Sequence, residues 1–176
     1  MSPAWLRYRS LIDLAGQQAV WWSAVGLVQT GHSELAALPA LAFVGASSWV
    51  FGVAALQLAG IGALLGAVLD TLLVQAGCLR FPSDPGRPLT TLWMVGLWAA
   101  FGLAFSGSMG WLVRRGPVIA VLFGVVAGTL AYRAGARLGP LAIAEGPSAT
   151  LAIAACWALA MLALRWTARR LVPAPG

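Results

Sequence analysis

The sequence has no lysine, one histidine, two cysteines and five acidic residues among 176 positions, and charged residues of every kind make up 9% of it. A soluble domain carries roughly 25% charged residues, so this chain lacks the polar groups to cover a folded surface in water. Its histidine, His32, stands beside Glu34 in a short polar connection and is given no role. Without paired histidines or a CxxC there is no metal-ligand spacing, and no metal or cofactor is expected. GxSxG, HExxH and phosphate-binding glycine motifs are also missing, so no catalytic class follows from motif. Cys78 is expected at a membrane surface and Cys156 near a span centre, depths that do not suit a disulfide.

What the chain does have is apolar length: 60% of residues are hydrophobic and mean hydropathy is +0.86. Lipid is the solvent such a chain fits. A crossing helix needs about 20 largely apolar residues, and six segments qualify: 11–30, 35–52, 54–76, 89–112, 117–138 and 147–166. No charge marks the boundary between the second and third, where the chain reads ASSWVFGVAA. The expected fold is all-α, a single-domain polytopic bundle of about six transmembrane helices. Arg7 and Arg9 before an apolar run resemble a signal peptide. Asp13, Gln17 and Gln18 interrupt that run, and further spans follow, so an uncleaved first helix is expected.

All eleven basic residues are arginine and the net charge is +6. They are scattered singly or in pairs between apolar spans, which reads as topology signals and not as a nucleic-acid surface. With the N-terminus in the cytoplasm, Arg7, Arg9, Arg114, Arg115, Arg165, Arg169 and Arg170 fall inside, and Arg80, Arg87, Arg133 and Arg137 outside. The excess places both termini in the cytoplasm. Gly77 to Pro88, rich in proline and glycine, reads as a turn-rich loop. Trp5, Trp49, Trp93, Trp111 and Trp166 fall near span ends, as interfacial anchors do.

Polar groups inside spans are functional-site hypotheses by default. Gly62, Gly66, Asp70, Leu73 and Gly77 share one helical face, as do Gly124, Gly128, Tyr132, Gly135 and Gly139. The third and fifth spans are therefore expected to pack through their small residues, with Asp70 and Tyr132 at similar depth. An Asp70–Tyr132–Arg133/Arg137 cluster is the candidate site, an arginine keeping Asp70 ionised or holding an anionic group. Asp13 begins the first helix, where a carboxylate suits the helix dipole. Ser106, Gly107, Ser108 and Gly110 form a small polar patch that permits close packing or lines a cavity. Gln18, Trp21, Trp22, Ser108 and Trp157 are candidate cavity-lining residues. Gln17 and Gln18, one turn before Trp21 and Trp22, are candidate acceptors for the indole N–H groups.

Taken in order, these residues resemble a bacterial inner-membrane family catalogued as domain of unknown function 2878. The likeness runs through Gln18, Trp21 and Trp22, then Gly66-Ala-Val-Leu-Asp70-Thr-Leu-Leu with Gly77 and Phe81. It continues through Leu97-Trp98, Ser108 and Trp111, then Gly124, Gly128, Tyr132, Ala134, Gly135 and Gly139. The chain departs from the family where a polar residue and a histidine usually precede the serine matched by Ser108; here they are Ser106 and Gly107. A Gly-Gly-Pro is replaced by Ala127-Gly128-Thr129. The resemblance implies a multi-span inner-membrane fold without an established activity. It also implies gene neighbourhood with fatty-acid-modifying enzymes, an association and not a mechanism. Three functions remain open: a component acting on membrane lipid or its acyl chains, a small-molecule binding or transport subunit, and a structural partner of other membrane proteins.

Overall fold

The computed structural model describes residues 5–172, with side chains from residue 8 onward. The side chains of Trp5 and Arg7, expected as an anchor and a topology signal, lie outside that range. The chain is helical almost throughout: α1 (Trp5–Gln29), α2 (Leu38–Phe51), α3 (Val53–Gln75), α4 (Leu92–Leu103), α5 (Gly110–Arg115), α6 (Pro117–Leu138) and α7 (Pro147–Leu171). The exceptions to helix and loop are two short strands, β1 (Leu79–Arg80) and β2 (Ala142–Ile143), paired antiparallel.

Local chemistry explains the boundaries. The unmarked division between the second and third spans falls at Gly52, whose φ of 78° is open to glycine and strained for other residues, so α2 stops and α3 starts afresh. Pro117 and Pro147 occupy the first turns of α6 and α7, where a missing N–H costs nothing. α6 ends at Gly139, left-handed at φ 98°.

α3, α6 and α7 are long and apolar enough to cross a membrane. α1 is as long as α7 but carries Asp13 in its first half and Gln17 and Gln18 at its middle. α2 and α4 have 14 and 12 residues. The fourth expected span, 89–112, is not one continuous helix: α4 runs into a tight 3₁₀ turn at Ala104–Ser106, and α5 begins only at Gly110.

α4 is the central post, packed on α3, α2 and α1, while α7 packs on α3 and α6. β1 and β2 join the loops after α3 and α6, and Gln29 Nε2 donates to the Leu138 carbonyl at the same end of the bundle. At the opposite end Arg9 donates to the Ser106 carbonyl and lies over the Phe51 ring. Large apolar side chains cover the outer flanks; Leu41, Trp49, Leu64, Leu130 and Leu151 are all more than half exposed. That surface is compatible with a lipid environment.

The glycine faces do not pack on each other. Gly62 lies directly against the backbone of Trp98 and Gly102, bringing α3 and α4 into close contact. One turn on, Gly66 makes room for the Trp98 ring, and Gly128 on α6 makes room for the ring of Trp157 from α7. The two indoles stack at 4.5 Å with an interplanar angle of 22°. The expected glycine-on-glycine packing of α3 and α6 is thus replaced by a glycine–indole–indole–glycine layer. Spacing marks a face as small; it does not say what fills the space.

Candidate functional site

Beside that layer lies Asp70, fully buried on α3. Tyr132 of α6 donates its hydroxyl to Asp70 Oδ1 at 2.5 Å, and Trp98 of α4 donates its indole N–H to Oδ2 at 3.0 Å. The same indole N–H lies 3.2 Å from the Tyr132 oxygen, so the three side chains close a ring. Trp157 meets Tyr132 edge-on at 6.0 Å, and Phe101 meets Trp157 edge-on at 5.0 Å. A carboxylate in apolar surroundings requires hydrogen bonds from its neighbours, and here an indole and a phenol supply them.

The expected arginines are not part of this site. Arg133 and Arg137 are exposed, and Arg133 donates to Thr150 at 3.2 Å. Successive helical residues are about 100° apart, so the residue after the inward Tyr132 points out of the bundle. Among the described residues the ion pairs are His32–Glu34 and Arg87–Asp84, both in loops. Sequence reasoning missed Trp98 as the second donor. The available signal was an indole in mid-span needing an acceptor, with Asp70 the one carboxylate in the third span.

Tyr132 and Trp98 also form part of the wall of a cavity of about 340 Å³. α1 contributes Leu14, Gln17, Gln18, Trp21 and Val25, and α6 contributes Phe123, Ala127, Ala131 and Gly135. The floor is Trp93, Leu97 and Phe101 of α4, with Trp157 behind. Asp70 does not line the cavity; it stands behind Tyr132 and Trp98 and fixes their orientation. The α1 wall, from Leu14 to Val25, runs about 16 Å along the helix axis. Leu14 and Gln18 line the cavity and are exposed, which puts an exposed edge of it on the α1 side, the flank next to α6. Leu122, Val126 and Leu130, which are exposed on α6, give that flank an apolar surface.

The other expected lining residues divide. Trp157 and Trp21 line the cavity, whereas Trp22 is 58% exposed and points away. Gln17 does not serve an indole: its Nε2 donates to the Ala100 carbonyl at 2.6 Å, tying α1 to α4. Trp157 and Trp93 have buried indole nitrogens without a partner among the described residues. Trp93 is itself buried and so is not an interfacial anchor. Ser108 lies outside the cavity, at the break between α4 and α5, where its N–H donates to Asp13 Oδ2 at 2.8 Å. Asp13 is therefore buried and holds the free backbone of a broken helix, with Arg9 on the neighbouring Ser106 carbonyl. A side chain at Gly107 would collide with the Asp13 carboxylate. Cys78 and Cys156 are free thiols.

No curated protein and no solved structure matches the chain. The family model described as "Protein of unknown function (DUF2878)" matches residues 10–163, a stretch that takes in the carboxylate, both stacked indoles and every cavity-lining residue. The chain belongs to that family of unknown function.

Proposed function

We propose that this protein is a multi-pass membrane protein that takes a lipid hydrocarbon chain into the groove between α1 and α6, as a binding or enzyme component of membrane-lipid metabolism. The observation that carries this reading is a cavity of about 340 Å³ with a mostly apolar lining, whose α1 wall is exposed at Leu14 and Gln18 beside the apolar outer residues of α6. Ligand cavities typically occupy roughly 300–1,000 Å³ and are mostly apolar with a few polar groups. A cavity for a water-soluble molecule would instead open at an end of the bundle. In this reading α1, α2 and the α4–α5 pair cross the membrane together with α3, α6 and α7, and both termini face the cytoplasm. The broken α4–α5 span is tolerated because protein groups satisfy its freed backbone.

Ala131 faces the groove, so Ala131→Phe fills it without touching Asp70. Native mass spectrometry of protein released from lipid nanodiscs is expected to show an acyl lipid retained by the wild type and lost by Ala131→Phe. Equal retention by both forms would refute the groove as the lipid site.

A further inference from the structure

Charge inside the groove decides what kind of chain it accepts. Among the described residues, none of the lining side chains is ionisable as an acid or a base apart from the phenol of Tyr132. The phenol hydrogen is already committed to Asp70. The nearest arginine along α1 with a described side chain, Arg9, is turned to the Ser106 carbonyl and the Phe51 ring at the end of the bundle. Arg133 and Arg137 are on the outer face of α6. An anionic head drawn into the groove would therefore lose its water and meet no cation among the described lining residues, which is strongly unfavourable.

Neutral donors are present. Gln17 has one amide N–H on the Ala100 carbonyl and a second left over. Gln18, the next residue, lines the groove and is itself exposed, with no hydrogen-bond partner for its amide among the described residues. Both sit one turn in from the Leu14 end, and from there to Val25, Trp93 and Leu141 the lining is apolar or aromatic, its side-chain polar atoms being the committed Tyr132 hydroxyl and the indole nitrogens of Trp21, Trp93, Trp98 and Trp157. Resting on the proposed lipid groove, we infer that its occupant is an esterified acyl chain and not a free fatty acid. The ester carbonyl accepts a hydrogen bond from the Gln18 amide at the mouth, and the hydrocarbon runs along α1 toward Val25.

The test uses the full-length protein in nanodiscs, tritiated methyl oleate as the probe, and unlabelled methyl oleate, oleate and 1-octadecene as competitors at pH 9, where the acid is ionised. Methyl oleate is expected to compete best. The hydrocarbon should be weaker by roughly threefold to tenfold, the value of one net hydrogen bond. Oleate should be weaker by roughly tenfold or more. Gln18→Leu, a change at an exposed position, should bring methyl oleate down to the level of 1-octadecene while leaving 1-octadecene unchanged. Oleate competing as well as the ester, or an unchanged ester-to-hydrocarbon ratio in Gln18→Leu, would overturn the ester assignment while leaving the groove intact. Loss of saturable probe binding in the wild type, or equal binding by Ala131→Phe, would instead overturn the groove and the assignment together.

Discussion

Asp70 takes one hydrogen bond on each carboxylate oxygen, and this division predicts how substitutions behave. In Asp70→Asn one position becomes an NH₂ that confronts a donor, whichever way the amide turns, so one buried donor is left unpaired. The expected loss of stability is about 1–3 kcal/mol, measurable by steric trapping or reversible unfolding in detergent. Tyr132→Phe removes the partner of Oδ1 and should cost a similar amount. The two changes combined should fall clearly short of their sum, because they break one shared network. Arg133→Ala, by contrast, should add independently to Asp70→Asn, since Arg133 bonds Thr150 on the outside. Coupling between Arg133 and Asp70 would show that the carboxylate does have a cationic partner.

At the scale of elements, the glycine spacings of α3 and α6 were legible as close-packing faces, and their occupants were not. Periodicity reports the size of a face, whereas the partner depends on which large residue another helix presents. Trp98 and Trp157 are those residues. Gly66→Ala and Gly128→Ala each put a methyl group inside an indole ring, an overpacking that costs about 1–3 kcal/mol. Gly60, which has open space around it, should accept alanine with little change in melting temperature. The broken fourth span was hidden for a different reason: 89–112 is apolar and long enough, and hydropathy does not register whether backbone bonds are made. Asp13 is the sequence clue, a carboxylate whose acceptor oxygen meets the N–H of Ser108 left free by the helix break. Asp13→Ala should leave that N–H unpaired and loosen the break. A cysteine placed at Ser108 should then react faster with a maleimide than in the Asp13 background. An unchanged rate would mean that the carboxylate does not hold the turn.

For the whole molecule, the class of fold followed from composition, since a chain this poor in charge suits an apolar solvent, where helices satisfy their own backbone. That Asp70 and Tyr132 stand level with each other followed from counting residues along two helices. The cavity did not, because an opening between α1 and α6 depends on where helices fail to touch. The proposed topology predicts that reporter fusions at either terminus report the cytoplasm, and that a cysteine in 77–88 is labelled from outside the cell. The reverse pattern would invert the bundle without altering its packing.

The most direct measurement is photocrosslinking in nanodiscs containing a phospholipid with a diazirine midway along one acyl chain, with the adducts mapped by peptide mass spectrometry. The account predicts a dominant set of adducts on the groove faces of α1 and α6, around Trp21, Ala127 and Ala131, that Ala131→Phe abolishes without changing the melting temperature. Adducts spread evenly over the outer flanks, with Leu64, Val68 and Leu72 of α3 labelled as strongly as the groove and no effect of Ala131→Phe, would contradict it.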